Sequence, residues 1–319
     1  MEDLLAVLVT YNSARYIGRA VESCLRQNLN VLVVDNGSTD CTLATIPVNA
    51  KVRVLANDNN LGFAGGVNLA VRESDAQYLL LLNPDAELID SIGPLLETLV
   101  EKRHNAITGL LVDEAGNPQK GFSFRRLPTP AALAFEVLGI NRIWPVNPVN
   151  RWYRCLDLDP LQPQVVEQPA GACFLFRRAD WERLDGFDEG FYPVWYEDVD
   201  FCQRLLASGG TIWFNPSVRV LHHGGHSVQN ISVGCRQRFW YGSLLRYAAK
   251  HFRPPSRGIV AVVVAVAIVP RILIGSKGER FWSQISTIKF IWRMARQCLR
   301  AGPSTDYGVP GEHDKAGKS

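Results

Sequence analysis

Four consecutive leucines behind a tyrosine, Tyr78 to Leu82, do more than any other stretch to limit what this chain can fold into. An unbroken apolar run of that length reads as a strand buried on both faces, the kind found at the centre of an α/β sheet. The run stops at Asn83-Pro84-Asp85, so Asp85 stands where a central strand runs out. Ligands bind at that edge in open α/β sheets, because the strand ends leave a crevice lined by loops. Asn83, Asp85 and Glu87 offer oxygen ligands to a hard divalent cation, which can in turn hold a diphosphate. The same Asn-Pro-Asp is also good turn chemistry, so the stretch alone leaves both uses open.

The first hundred residues repeat the pattern. Leu4 to Thr10, Val31 to Val34 and Val52 to Leu55 read as further buried strands. Ala14 to Gln27 sets Ile17, Val21, Cys24 and Leu25 on one side of a helix. Strands alternating with helices predict a parallel sheet with right-handed crossovers, and Thr10, Asp35, Asn57 and Asp85 then end their strands on one edge. The stretch Asn60-Leu61-Gly62-Phe63-Ala64-Gly65-Gly66-Val67-Asn68 leads into a helix reaching about Arg72. Glycines ahead of a helix let backbone N–H groups approach an anion, although tight helix packing needs glycines equally.

Residues 105 to 165 read as long loops, with a short helix between Pro130 and Gly139, and Arg125 and Arg126 are either phosphate-facing or plain surface. Gly171 to Phe176 is another strand and Arg177 to Leu184 a short helix. Glu197-Asp198-Val199-Asp200 then opens a helix whose Phe201, Cys202, Leu205 and Leu206 share a face. Acids at a helix start are favoured by the dipole, so without context they need be nothing more. Thr211 to Phe214 is a strand, Pro216 starts a turn, and Val218 to Leu221 leads into His222-His223-Gly224-Gly225-His226. A histidine there is either a satisfied strand terminus or a neutral imidazole that completes the coordination Asp85 begins.

Four stretches in order carry a resemblance: VTYNS at 9–13, VVDNGSTD at 33–40, NDNNLGFAGGVN at 57–68 and LLLNPDAEL at 80–88. Together they resemble the inverting family 2 glycosyltransferases of GT-A fold, and GFAGGVN is most similar to the bacterial rhamnosyltransferase branch. The likeness covers residues 4 to 250. It implies an α/β domain over 1–252 with a Rossmann-like, nucleotide-binding mixed sheet flanked by helices. Residues 1–100 would be its nucleotide-sugar half and 101–252 its acceptor half. It implies Asp198 as catalytic base, and Mg²⁺ or Mn²⁺ held by Asp85 and His222. The implied donor site is Thr10, Tyr11, Asn12, Asp35, Asn60, Gly62, Phe63, Gly65, Asn68, Asn83, Pro84 and Asp85, with Tyr11 stacking on the nucleobase and Asp35 accepting its N–H. Tyr192, Trp195 and Glu197 would wall the acceptor side. One departure is Asn83, where the family's metal motif more often has Asp; an amide is the weaker ligand. The implied reaction moves L-rhamnose from dTDP-rhamnose to a hydroxyl of a polyprenyl-diphosphate-linked glycan in cell-envelope polysaccharide synthesis. UDP-sugars fit the same residues, and a non-catalytic membrane-bound scaffold is the other class. A nucleotidyltransferase is disfavoured because VTYNSARY lacks a Gly-rich basic loop after the first strand.

Composition bears on what lies beyond that domain. A chain of 319 residues with 47% hydrophobic residues has room for one large domain and an appendage. Its seven cysteines form no CxxC pair, which argues against a zinc site or a secreted disulfide framework and for a reducing compartment. The acidic start MEDLLAVLVTYN is unlike a secretory signal. The net charge of +3 hides an asymmetry, since residues 251–300 carry nine Lys and Arg against one acid, Glu279. A mildly acidic body with a basic C-terminal region suits anionic lipid and not nucleic acid. Ile259 to Val269 is eleven apolar residues cut off by Pro270, a helix of only about 16 Å against a hydrocarbon core of about 30 Å, so an interfacial or re-entrant element is expected before a span. Between Glu279 and Arg300, Phe281, Ile285, Ile288, Trp292, Ala295 and Leu299 line one helical face, which predicts a helix lying on a membrane or packed on the catalytic body. Residues 253–300 are thus expected to associate with the cytoplasmic face of the inner (plasma) membrane, peripherally or monotopically, and 301–319 to be a disordered tail.

Overall fold

The computed structural model describes residues 3–224, 231–275 and 281–300, so His226 and the expected tail at 301–319 lie outside the described residues. Strands β1 (Leu4–Thr10), β2 (Asn30–Asp35), β3 (Val52–Ala56) and β4 (Tyr78–Leu82) pair in parallel in the order β3-β2-β1-β4. Their connections carry α1 (Ile17–Arg26), the single turn α2 (Thr42–Thr45) and α3 (Gly62–Arg72). Leu79 to Leu82 are each 0% exposed, and burial of each side chain is worth about 2 kcal/mol. Their strand is therefore the pivot that the apolar run predicts. The polar strand ends meet on one edge, where Asn36 N donates to Thr10 O and Asn57 N to Asp35 O, both at 2.9 Å.

After β4 the chain turns at Asn83-Pro84 into β5 (Ala86–Leu88), α4 (Gly93–Glu101) and β6 (Ala106–Val112). Residues 105–165, expected as long loops, are largely structured. They hold β6, β7 (Phe124–Arg125), α5 (Pro130–Leu138), α6 (Ile140–Ile143), α7 (Pro148–Tyr153) and the start of β8 (Gln164–Val166), ahead of β9 (Gln168–Pro169). β6 is buried along its whole length, and its pattern is obscured by Gly109. A Cβ at Gly109 would stand 2.5 Å from Val218 O, so the glycine is what lets the next strand approach. Pro148 sits in the first turn of α7, where its missing N–H costs nothing, behind an Asn147 side chain that accepts from Asn150 N at 2.8 Å.

β10 (Cys173–Arg177) enters antiparallel between β4 and β6, and β11 (Ile212–His222) runs parallel to β6 and antiparallel to β5. The full order is β3-β2-β1-β4-β10-β6-β11-β5, with β8 on β11. The expected turn at Pro216 is instead an irregularity inside β11, where the register shifts between Phe214 and Arg219. α8 (Arg178–Arg183) and α9 (Glu197–Ala207) follow β10 and precede β11. One core cluster packs α1 and α4 on one face of the sheet, and a second packs α3, α8 and α9 on the other.

A third cluster joins α5 to α10 (Val233–His251), α11 (Pro254–Gly275) and α12 (Phe281–Arg300). The apolar run expected to break at Pro270 is part of one continuous 22-residue helix, α11. Pro270 removes only its own N–H, and Arg271 is held by Tyr241, whose hydroxyl it reaches at 2.7 Å. Val260, Val264, Ile268 and Ile272 form a buried stripe at i, i+4 spacing, while Ile259, Val262 and Val266 on the other side are 53–67% exposed. α12 buries Ile291, Met294, Ala295 and Cys298 in the same cluster and leaves Trp282 and Trp292 exposed. It therefore packs on α10 and α11 and still presents an apolar outer face.

Candidate active site

β5 exists to put Asp85 beside a histidine. Its pairing sets Ala86 opposite His222, and His223 N donates to Asp85 O at 3.0 Å. Asp85 and His222 are both buried, with His222 Nε2 3.7 Å from Asp85 Oδ1. Gln119 fixes the imidazole: its Nε2 donates to His222 O at 2.6 Å and its Oε1 lies 3.0 Å from His222 Nδ1. Since that carboxamide oxygen can only accept, Nδ1 carries a proton toward it, and Nε2 is the ring nitrogen on the Asp85 side. A carboxylate oxygen and an imidazole nitrogen at this separation fit a divalent cation that takes its other ligands from a diphosphate and water. Among the described residues no third His, Cys, Asp or Glu completes a cluster with them.

Across the cleft, the chain enters α9 through two left-handed residues, Trp195 at φ 81° and Tyr196 at φ 73°. Both are bulky non-glycine residues in a sparsely populated region, and such strain at a helix entrance is held only by surrounding packing. The three acids that follow have three different environments. Asp198 accepts from Gly171 N at 3.1 Å and from Val199 N at 2.8 Å, and faces the cleft. Burial pushes its carboxyl above the ordinary carboxylate value, although the two N–H groups and the charge of Arg125 oppose the shift. Glu197 is deeper, its Oε2 has no hydrogen-bond partner among the described residues, and burial followed by the neighbouring Asp198 charge drives its carboxyl well upward. At Asp200 burial alone would raise the carboxyl, but His251 at 2.7 Å, Arg204 and Lys250 outweigh it and bring it down to about 2.

One cavity of about 1010 Å³ holds both sets of groups. Of the expected donor residues, Thr10, Tyr11, Asn60, Phe63, Asn83, Pro84 and Asp85 line it, and on the acceptor side so do Tyr192, Trp195, Glu197 and Asp198, with His222 between. Asn12, Asp35, Gly62, Gly65 and Asn68 do not line it. Asp35 lies beneath, its oxygens taken by Ser38 N at 2.9 Å and by the Ser38 hydroxyl, and the wall above it is Asn36 and Gly37. Asn12 ties down the same loop by accepting from Thr39 N at 2.8 Å. Gly62 has φ 74°, and a Cβ there would stand 3.0 Å from Pro193 O and from the Tyr192 ring. Asn68 bonds Phe187 through both its backbone N and O. The glycine-rich stretch thus clamps the 187–193 segment, the packing use of these glycines; the N–H of Phe63 is spent on Pro193 O at 2.7 Å.

Several residues of this site went unmarked in the sequence: Gly171, Gln119 and Asp58. Asp58 lines the same cavity. Gly171 allows the backbone to reach Asp198, since a Cβ there would stand 3.3 Å from Asp198 Oδ2; a glycine just ahead of a buried strand was the available sign. Gln119 gave no sign, because its partner is 103 positions away.

The chain is similar to known proteins over most of its length. The family model described as glycosyl transferase family 2 matches residues 6–183, and one described as the N-terminal domain of galactosyltransferase matches 163–226. An N-acetylglucosaminyl-diphospho-decaprenol L-rhamnosyltransferase of Mycobacterium tuberculosis is 31% identical over 246 residues, 72% of this chain and 78% of that protein. The rhamnosyltransferase WbbL of Escherichia coli is 28% identical over 59% of this chain and 70% of its own length. The structure of a Pyrobaculum calidifontis mannosyltransferase solved with GDP-Man and Mn²⁺ superposes with a TM-score of 0.53 at 14% identity, over 93% of this chain and 87% of that one, which is a likeness of fold. With a matching family model over more than half its length and a relative this similar, the chain is a nucleotide-sugar glycosyltransferase and belongs to glycosyl transferase family 2.

Proposed function

We propose that this enzyme transfers L-rhamnose from dTDP-rhamnose, with inversion, to a hydroxyl of a glycan linked through diphosphate to a polyprenol. The observation that carries the reading is that Asp85, His222 and Asp198 all line one cavity, whose donor arm we take to be the Asp85 side and whose acceptor arm the Asp198 side. Asp198 takes the proton of the acceptor hydroxyl as that oxygen attacks the anomeric carbon from the face opposite the departing diphosphate. Asp85 and His222 would hold Mg²⁺ or Mn²⁺, which when bound neutralises the charge gathering on the leaving diphosphate. Tyr192 and Trp195 wall the acceptor arm against water. The named substrate of the mycobacterial relative supports the sugar and the lipid-linked acceptor. The test is turnover of a lipid-linked N-acetylglucosaminyl diphosphate with dTDP-rhamnose and with UDP-sugars, followed by mass spectrometry of the product. Preferred turnover with a UDP-sugar would reject the donor assignment.

The same reading takes residues 1–252 as the catalytic domain, with donor and acceptor halves meeting near residue 100, and sets α11 and α12 on the cytoplasmic face of the membrane. Pro254–Ile272 is long and apolar enough to cross a membrane by length and composition, but its buried stripe belongs to the catalytic body, which favours a monotopic contact through the other side. Exposed Ile259, Val262 and Val266 on α11 and Trp292 on α12, beside Lys289, Arg293 and Arg296, supply apolar and basic groups for such a contact. Val262→Ser together with Val266→Ser changes only exposed side chains. The pair should abolish flotation of the full chain with phosphatidylethanolamine–phosphatidylglycerol vesicles, and undiminished flotation would place the contact elsewhere.

A further inference from the structure

Two further sets of side chains line the cavity that holds Asp198. Arg125, Leu133 and Tyr153 come from β7, α5 and α7, and Phe239, Trp240 and Phe290 come from α10 and α12. We propose that Arg125 is the grip for the acceptor's own diphosphate, and that the polyprenyl chain leaves along Trp240 and Phe290 toward the outer faces of α11 and α12. The inference rests on the lipid-diphosphate acceptor proposed above and adds where its charge is held.

Three observations carry it. Arg125 lines the cavity close enough to Asp198 for its charge to act on that carboxylate. A sugar attached directly to a diphosphate brings that diphosphate within one ring of the hydroxyl that reacts, so its counter-charge must stand about one sugar from the base. Arg125 is also aimed and held: its Nε donates to Gly121 O at 3.0 Å, and its guanidinium lies over the rings of Phe122 at 5.5 Å and Tyr153 at 5.9 Å. Finally, its neighbours Arg126 and Arg154 are neutralised and it is not. Arg126 is spent on Asp157 in a two-pronged pair at 2.9 Å, and Arg154 meets Glu136 at 3.5 Å, whereas among the described residues Arg125 has no carboxylate partner. An arginine with both terminal nitrogens available, on a stacked and tethered stem, is the side chain suited to a diphosphate. The apolar aromatic lining beyond it suits a prenyl chain.

The test is direct binding to the full chain with the donor arm filled by saturating dTDP and Mn²⁺, using farnesyl diphosphate and farnesol as probes. Arg125→Gln should weaken farnesyl diphosphate by about 30-fold, the range for a lost charge-assisted contact, and leave farnesol and dTDP within about twofold. Arg125→Lys, which keeps the charge and loses the fork, should fall between, and intact dTDP binding by both variants reports that they are folded. Unchanged farnesyl diphosphate affinity, equal loss for farnesol, or displacement of dTDP by farnesyl diphosphate would overturn the proposal. Arg125-dependent binding in an enzyme that transfers to no lipid diphosphate would instead uphold the subsite and reject the acceptor assigned above.

Discussion

The two halves of the cavity are built by different means. The donor arm is assembled from the ends of consecutive parallel strands, so Thr10, Asn36 and Asp85 become neighbours because right-handed crossovers set successive strand ends along one edge. The acceptor arm is assembled across the chain: β10 enters antiparallel from 91 positions beyond β4 and Gly171 reaches Asp198, and the donor arm borrows one piece by the same means, His222, which Gln119 holds. A site made at strand ends is fixed by the sheet itself. One made by long-range insertion depends on single glycines and amides that let distant backbone come close.

The sharpest way to break that comparison is to remove one carboxylate from each arm. Asp198→Asn keeps the shape and removes the base, so transfer should fall by about 10³-fold while affinity for the nucleotide stays as it was. Asp85→Asn should instead weaken Mn²⁺-dependent binding of dTDP, by about 100-fold, because an amide is the poorer ligand for a hard cation. The wild-type pH profile supplies an independent mark. Burial raises the Asp198 carboxyl, and a base works only when deprotonated, so kcat/KM should be lost as pH falls through a midpoint above the ordinary 3.8. If Asp198→Asn and Asp85→Asn lost donor affinity alike, the two arms would not be separate.

The difference between the arms also explains what could be read in advance. Leu79–Leu82 and the polar residues closing β1, β2 and β4 were legible because burial on both faces and position at a strand end are local properties of the sequence. Asp35 was legible as a strand end, but its hydrogen bonds to Ser38, which set it beneath the cavity wall, were not. β6 was missed because Gly109 answers to Val218 on another strand, and α11 was cut short at Pro270 because the tyrosine that receives Arg271 lies on another helix. Each of these depends on a partner far along the chain, and periodicity carries no information about such partners.

A smaller effect separates two acids only two residues apart. Asp200 is fully buried among Arg204, Lys250 and His251, and its carboxyl stands at about 2 against an ordinary 3.8. A depressed folded value means the carboxylate stabilises the fold, fully above 3.8 and progressively less as pH falls from 3.8 to about 2. Asp200→Asn should therefore cost about 2–3 kcal/mol at neutral pH, a difference in unfolding free energy from wild type that closes near pH 2. Asp198 has the opposite sign. Its raised value means that ionisation in place opposes folding above the ordinary 3.8, so Asp198→Asn should leave stability at neutral pH equal or higher while it lowers transfer. Urea unfolding of the two variants at neutral pH and near pH 3 reads both signs at once. Loss of stability in Asp198→Asn, or none in Asp200→Asn, would mean that the base and the anchor of α9 have been assigned the wrong way round.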